Sequence, residues 1–478
     1  MTPGAYSDLE TASLDDLELL MWRVGLDRRL ASTFGSVVIL DREMDRDQLA
    51  DLVRAAVQRV PRLRQRIATR GFGLPPRWVD VDRVDLDFHL RHVTLSPTAD
   101  LREVLDRGSA FVAERFEDDR PLWQAVTYHG LRDGRSAMVL RAHHAVSDAE
   151  NAVSLALQFV DGAGGSPNGG PHRGRPSPAS DSSALTGLSG KAVRALGVLA
   201  RSRPALPRSP GELGSRVSEL REVASGLTAE ALDVTRSSLR PVLRLTSRAR
   251  RLEVLQVDLD AALRTARALG GTLNTLFLTA CATAMSNYLA HVGAPAKSLV
   301  CSIAISTRDC DDGQANAFTI KRARLPTDGM PLRQRFRLIQ ASSGPGTRPN
   351  VPKPHFSAVA ALARPLPAVV LQQAGRRIAS SVDMVTSSFR VSEQTLTVTG
   401  VKVDSIYPVG PLPGVPLNIT VLSYARRLYV GMHSDAATIS EPWVLRDLLD
   451  DAFRQLMAAP RTHGTPSPIT PARQGATP

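Results

Sequence analysis

A stretch rich in glycine, proline and serine, Gly162–Ser183 (GAGGSPNGGPHRGRPSPASDSS), interrupts the chain of 478 residues. It contains almost no apolar side chain, so it cannot bury enough surface to offset the conformational entropy that ordering would cost. We therefore expect a disordered linker here, with a folded segment on either side of it.

Both flanking segments interleave strand-like and helix-like patterns. Before the linker, Phe34–Leu40 is typical of a strand, and Arg46–Val60 carries apolar residues at helical spacing. After it, Leu273–Ala290 predicts a helix, and Leu417–Tyr424 with Leu428–Met432 predicts a hairpin. The fold class predicted is therefore mixed α/β. We expect four parts, namely a first half (1–161), a disordered and basic helical crossover linker (162–251), a second half (252–460) and a disordered tail (461–478).

The net charge of +12 is concentrated around the linker. Between His172 and Arg251 the chain has fifteen Lys or Arg residues and six Asp or Glu residues. This excess is compatible with a solvated connector or with a surface that faces an anionic membrane. No aromatic platform or recognition motif accompanies the charge, so nucleic acid is not an expected partner.

The composition also favours a reducing compartment. Cys281, Cys301 and Cys310 are odd in number and form no Cys-x-x-Cys pair, so neither a disulfide framework nor a cysteine zinc site is expected. The first twenty residues carry five acids and no basic stretch, which does not fit a secretory signal. The most apolar long stretch, Thr272–Ala294, is interrupted by polar residues, and we expect a buried helix there rather than a membrane span.

The segment most suited to chemistry is His143-His144-Ala145-Val146-Ser147-Asp148, between a predicted strand and a predicted helix. Adjacent side chains on extended backbone point in opposite directions, so one histidine can pack while the other faces a substrate. A carboxylate at Asp148 could hold one ring nitrogen and leave the other as a general base. Two readings compete with this one. The pair could simply be packed in a core, or it could bind a metal, although His144 and Asp148 supply at most two ligands.

Other catalytic patterns are missing from the sequence. It contains no Gly-x-Ser-x-Gly elbow, no Gly-x-Gly-x-x-Gly and no Gly-x-x-x-x-Gly-Lys-[Ser/Thr]. A serine nucleophile, dinucleotide binding and P-loop phosphate chemistry are therefore not expected. Direct group transfer assisted by one base is the simplest hypothesis that remains.

His143–Ala149 resembles the His-His-x-x-x-Asp-Gly signature of the coenzyme A-dependent acyltransferase superfamily, with Ala149 in place of the glycine. Other motifs, in the same order, resemble one branch, the bacterial wax ester synthase/diacylglycerol acyltransferase family: Val60–Arg64, Asp85–Leu90, Arg120–Trp123, Ile406–Pro411 and Leu417–Val421. The likeness covers roughly residues 10–160 and 252–457 of this chain. It departs from the family at Asn274-Thr275, where the family has Asn-Asp, and near Ser387–Arg390, where no Ser-Asn-x-Pro-Gly stretch is found.

This resemblance implies two chloramphenicol-acetyltransferase-like halves around a central channel. By motif position His144 would be the general base, His143 a partly structural neighbour, and Asp148 the residue that orients the segment. Asn274 and Trp123 would contact substrate. Each also has a plainer interpretation, a helix cap or structural hydrogen bond for Asn274 and core packing for Trp123.

The resemblance further implies an O-acyltransferase that uses acyl-CoA as co-substrate, without a separate cofactor or metal. The acceptor would be diacylglycerol or a long-chain alcohol, in triacylglycerol or wax ester synthesis. Such a protein would be cytoplasmic and contact membranes or lipid droplets peripherally. Three alternatives remain open: an acyltransferase for a specialised alcohol such as a polyketide, a degenerate relative that binds lipid without catalysis, and a condensation domain that uses carrier-bound substrates.

Overall fold

The computed structural model describes residues 12–69, 74–146, 159–161, 243–244, 247–306, 318–343, 360 and 363–458. The predicted linker Gly162–Ser183 and tail 461–478 lie outside these ranges, as do Asp148 and Ala149. Elements of the first half are β1 Ala12–Ser13, α1 Asp16–Gly25, β2 Thr33–Leu40, α2 Arg46–Arg59, β3 Gln65–Ala68, β4 Arg77–Asp80, α3 Leu86–His89, β5 Leu90–Thr94, α4 Leu101–Ala113, β6 Trp123–His129 and β7 Ser136–His143. Those that follow are β8 Arg250–Asp258, α5 Leu259–Ala268, α6 Leu273–His291, β9 Ser298–Ser306, β10 Phe318–Pro326, α7 Leu332–Ser343, α8 Ala368–Ala379, β11 Met384–Ser392, β12 Thr397–Val398, β13 Val401–Val409, β14 Leu417–Tyr424, β15 Arg427–Asp435 and α9 Pro442–Ala458.

The first large sheet has six strands in the order β12-β13-β2-β7-β6-β5, and β1, β4 and β3 form a small sheet beside it. The strand predicted at Phe34–Leu40 is confirmed as β2, and the helix predicted at Arg46–Val60 as α2. Asp45 caps α2 by accepting a hydrogen bond from the Gln48 amide, and Pro61 follows its end. Both elements therefore follow from local sequence signals.

The second large sheet has the order β10-β9-β11-β14-β15-β8. The predicted hairpin is confirmed as β14 and β15, and its second strand runs three residues further, to Asp435. The turn consists of Ala425 and Arg426, with φ of 45° and 62°. Two successive left-handed residues match the right-handed twist of the paired strands, as in a type I′ turn.

Helix α6 fills the centre of the second hydrophobic core. Most of its length is buried, including Phe277, Cys281 and Met285, which confirms the buried helix predicted within Thr272–Ala294. Among the described residues, no single helix is long and apolar enough to cross a membrane. Helices α5 and α6 meet that criterion only as a pair, and they bend by 95° at their junction.

The second half contributes strand β13 to the first sheet, which the sequence pattern did not reveal. Strand β13 belongs to the second half along the chain, yet it pairs antiparallel with β2 in the first sheet, with Tyr407 opposite Val37. Where β13 crosses β15, Gly431 lies directly against the Pro408 carbonyl, and any β-carbon at position 431 would collide with it. The boundary between the two sheets therefore does not coincide with the boundary between the two halves of the sequence.

Candidate active site

The histidine pair lies at one end of the central strands of the first sheet, where the ends of β2, β7 and β13 meet. Thr33 at the start of β2 pairs with His143 at the end of β7, and Gly35 pairs with Val409 at the end of β13. The backbone is held on both sides, since the His143 amide donates to the Leu122 carbonyl at 3.0 Å and the His144 amide to the Ser32 carbonyl at 3.1 Å. The segment that follows β7 therefore starts from a fixed position.

His143 is buried and neutral. Its Nδ1 accepts a hydrogen bond from the Ala145 backbone amide at 3.1 Å, so its proton must lie on Nε2. Burial, and secondarily the neighbouring His144, lowers the pKa of His143 to about 3. The ring also abuts the end of α1, where a β-carbon at Gly25 would lie 2.7 Å from Nε2. His143 thus packs between the end of α1 and the turn that follows β7, and it restrains the position of that turn.

His144 is half-buried, in contrast to its neighbour. Its ring lies against Phe34 of β2, with ring centroids 4.7 Å apart and the planes inclined by 53°. One histidine therefore packs into the scaffold while the other keeps access to its surroundings, as the alternation of side chains predicts. Its role as general base, and the orienting role of Asp148, remain predictions.

Trp123 lies in the core rather than at a substrate surface. It is 4% exposed, and its indole Nε1 donates to the Leu63 carbonyl at 2.7 Å. Its ring stacks on His89 at 4.7 Å, and His89 Nδ1 donates to the Trp123 carbonyl at 2.7 Å. The motifs that contain Leu63, His89 and Trp123 therefore form one packed unit beneath β6. This placement favours packing and does not support the predicted substrate contact.

Asn274 is the second residue of α6, and its side chain is half-buried. It is not the helix cap, because Thr272 Oγ1 accepts the Thr275 amide at 3.1 Å and fills that role. The Thr275 side chain, 2% exposed, lies 3.0 Å from the same hydroxyl. The capping interpretation of Asn274 is therefore wrong, and its contact with substrate remains a prediction.

Sequence reasoning missed a buried carboxylate that anchors α1. Glu18 is 1% exposed, and it accepts hydrogen bonds from Arg62 at 2.7 Å and from the Trp78 indole at 3.0 Å. Burial raises the pKa of Glu18, and Arg62 opposes that shift. The available signal was the spacing Asp15-x-x-Glu18, which forms a capping box in the structure. This anchor fixes one end of the helix whose other end contacts His143.

The two C-terminal motifs meet at the same end of the central strands of the first sheet. Gly410, just beyond β13, packs directly on the amide group of Asn418, whose Nδ2 donates to the Pro411 carbonyl at 2.9 Å. His433 Nδ1 donates to the Gly410 carbonyl at 2.7 Å, and burial lowers the pKa of His433 to about 4. These contacts hold the end of β13 beside β2, and therefore beside the Phe34 ring that touches His144.

The described residues contain no group of three or more His, Cys, Asp or Glu side chains that could hold a metal ion. At the ends of these strands the described residues place a half-buried imidazole, His144, next to a second imidazole, His143, that burial keeps neutral.

Two family models match the chain. The model described as wax ester synthase/diacylglycerol acyltransferase catalytic domain matches residues 14–277, and the WS/DGAT C-terminal domain matches residues 314–457. A putative diacylglycerol O-acyltransferase of Mycobacterium tuberculosis is 28% identical over 472 residues, covering 96% of this chain and 94% of the relative. The O-acyltransferase WSD of Acinetobacter baylyi is 26% identical over 370 residues, covering 74% of this chain and 77% of the relative.

Solved structures share the fold. A wax ester synthase/diacylglycerol acyltransferase from Marinobacter aquaeolei superposes with a TM-score of 0.64 at 21% identity, covering 93% of this chain and 98% of the other. The first condensation domain of the calcium-dependent antibiotic synthetase superposes with a TM-score of 0.56 at 17% identity, covering 95% and 98%. The mixed α/β class and the two-half architecture are therefore confirmed.

Proposed function

Because the chain belongs to the wax ester synthase/diacylglycerol acyltransferase family and is an O-acyltransferase, we propose that it esterifies diacylglycerol or a long-chain alcohol with a fatty acyl group from acyl-CoA. The observation that carries this proposal is the pairing of a half-buried His144 with a buried, neutral His143 at a rigid strand end. In this proposal His144 is the base, and the scaffold that holds His143 also holds the position of His144.

In the proposed reaction a ring nitrogen of His144 accepts the hydroxyl proton of the acceptor as its oxygen attacks the thioester carbon. The tetrahedral intermediate then collapses, the carbon–sulfur bond breaks, and the imidazolium returns the proton to the leaving thiolate. The products are the ester and free coenzyme A. A positioned base contributes about 10²–10⁴ to such a rate, and holding both substrates together contributes much of the remainder.

His143 supports this step without touching the reacting atoms. A charged ring at position 143 would disfavour the positive charge that develops on His144 when it takes the proton. Burial keeps His143 neutral, because it lowers the pKa to about 3. Its Nδ1 contact with the Ala145 amide also fixes the turn that carries His144. In this proposal Asp148 orients the same segment.

We also propose that the protein works in the cytoplasm and contacts membranes or lipid droplets peripherally. The acceptor alcohols dissolve in lipid rather than in water, so the enzyme must meet them at a lipid surface. A net charge of +12 supports attraction to anionic headgroups.

The test is thin-layer chromatography of lipids after incubation with labelled palmitoyl-CoA and either dioleoylglycerol or hexadecanol. We expect His144→Ala to lower ester formation at least 100-fold with an unchanged thermal unfolding midpoint. The matched control is His92→Ala, a half-buried histidine on β5 away from the strand ends, which should retain activity. Full activity in the His144 variant would refute the assignment.

Three further assays separate the alternatives. A wild-type protein that co-sediments with lipid yet turns over no acyl-CoA with any acceptor would be a lipid-binding relative rather than an enzyme. A protein that accepts only acyl groups on a carrier protein would act as a condensation domain. A polyketide or other specialised alcohol, offered beside hexadecanol, tests the remaining substrate alternative.

A further inference from the structure

The loop between α1 and β2 holds the backbone of His144. The carbonyl of Ser32, the residue before β2, accepts the His144 amide at 3.1 Å. The Ser32 hydroxyl donates to the Leu30 carbonyl at 3.3 Å, and both residues are buried. The Leu30 amide in turn donates to the Asp27 carbonyl at 2.8 Å. The position of His144 is therefore tied to the turn formed by Asp27–Leu30.

The second half of the chain encloses this turn from two sides. A β-carbon at Gly375 of α8 would lie 2.9 Å from Leu30 Cδ1, and one at Gly414, between β13 and β14, would lie 2.9 Å from Leu30 Cδ2. Arg376 forms an ion pair with Asp27, whose side chain is 8% exposed. Leu30 itself is 2% exposed. A side chain of the first half is thus held between two backbone segments of the second half.

Gly375 has no local reason to be glycine. It lies inside α8 and its φ is not positive, so the helix would be more stable with alanine there. The close approach of Leu30 supplies the reason, because a β-carbon would occupy the space of Cδ1. Gly414 differs, since its φ of 76° favours glycine in any case. The contact between Leu30 and Gly375 is therefore the one that a substitution can test cleanly.

We propose that Leu30 is a positioning residue for His144, through which the second half sets the place of the base. This inference rests on the proposed function, in which His144 accepts the hydroxyl proton. Leu30 has almost no surface that a substrate could contact, so it acts through the Ser32 carbonyl and the His144 amide. A displacement of about 1 Å at a catalytic group can lower the rate by about 100-fold.

The first experiment compares two buried leucines. Leu30→Ala leaves the space between Gly375 and Gly414 unfilled, and Leu449→Ala makes the same truncation in α9, within the second core. Both variants should unfold at lower urea concentrations than the wild type, because each contains a new cavity. We expect Leu30→Ala alone to lower kcat, by about 10–100-fold, with KM within two-fold. Leu30→Met, which keeps the volume, should restore kcat.

The second experiment changes the same contact from the other half. In the wild type, Gly375→Ala presses on Leu30 and should lower kcat by about 10-fold. In the Leu30→Ala background the added methyl group enters the empty space, so the same substitution should raise kcat. A purely structural contact would alter the urea midpoint without this reversal in kcat. Gly375→Ala also supplies the test should Leu30→Ala fail to fold.

A readout without turnover separates this inference from the proposed function. The magnetic resonance signal of His144 Cε1, in protein with isotope-labelled histidine, is assigned by its loss in His144→Gln. It should shift in Leu30→Ala and Gly375→Ala and stay in place in Leu449→Ala.

An unchanged signal with unchanged kcat in Leu30→Ala overturns the positioning role. So does an equal fall of kcat in Leu449→Ala. Wild-type protein that makes no ester, although its His144 signal responds to Leu30→Ala, contradicts the proposed function and supports the positioning role alone.

Discussion

Replacing Gly25 by alanine tests whether α1 braces the histidine pair. A β-carbon at this position would lie 2.7 Å from His143 Nε2 and 3.3 Å from Cε1. Ordinary contacts begin near 3.5 Å, so about 0.8 Å of movement is needed. The His143 ring cannot yield freely, because it is buried and its Nδ1 is bonded to the Ala145 amide. Helix α1 is equally restrained, since Glu18 ties it to Arg62 and Trp78.

The expected magnitude follows from these restraints. Overpacking of a filled site costs about 1–3 kcal/mol, while alanine in place of glycine in a helix returns at most about 1 kcal/mol. We therefore expect Gly25→Ala to lose about 1–2 kcal/mol of unfolding free energy. A displacement approaching 1 Å at the segment that carries His144 can lower kcat by about 100-fold. KM should change little, because neither Gly25 nor His143 contacts substrate in the proposed reaction.

The assay is steady-state ester formation together with urea unfolding. Gly329→Ala is the matched control, because a β-carbon there meets no atom within 4 Å. In a His143→Ala background the Gly25 substitution should add almost no further loss, since the colliding ring is gone. If Gly25→Ala keeps kcat within two-fold of the wild type and unfolds at the same urea concentration, the bracing argument is wrong.

Three other predictions concern buried groups. Burial lowers the pKa of His433 to about 4, from about 6.5 in the unfolded chain, so between these two pH values only the unfolded chain binds this proton. The free energy of unfolding therefore falls as the pH falls through that window. His433→Gln should reduce the dependence of this free energy on pH, measured by urea unfolding, by about 1.4 kcal/mol per pH unit. Arg62→Ala leaves the Glu18 carboxylate buried without its cation and should cost about 3–5 kcal/mol in the same experiment, whereas a loss below 1 kcal/mol would mean that Glu18 is already protonated. Trp123→Phe removes the hydrogen bond to the Leu63 carbonyl and should lower the free energy of unfolding by about 1–3 kcal/mol, with kcat/KM within two-fold of the wild type. A large rise in KM would instead support the predicted contact between Trp123 and substrate.

The elements that sequence could predict are those with local causes. Strand β2 and helices α2 and α6 were predictable because their signals act within a few residues: a run of β-branched residues for β2, apolar spacing and a following proline for α2, and a long apolar run after Gly270-Gly271 for α6. The opposite placement of His143 and His144 followed from the alternation of side chains along extended backbone. In both cases the controlling interactions lie between sequence neighbours.

The features that escaped prediction depend on contacts between distant residues. No local pattern reveals that Trp123 stacks on His89, or that Glu18 finds Arg62 and Trp78. Asn274 looked like a cap because its type suits that role, yet Thr272 comes first and has the geometry. The place of β13 in the first sheet was hidden for the same reason, since no local pattern identifies the distant strand with which it pairs.

Because β13 pairs with β2, the first sheet is completed only when the second half of the chain has been synthesised. Translation completes β2 and β7 long before β13 exists, so the edge of β2 emerges from the ribosome without its neighbour and open to sticking to other chains. A gene split within codons 162–242 should therefore give an insoluble N-terminal product on its own and soluble, active protein when both pieces are made in the same cell. Soluble N-terminal product without its counterpart would show that the first sheet matures unaided.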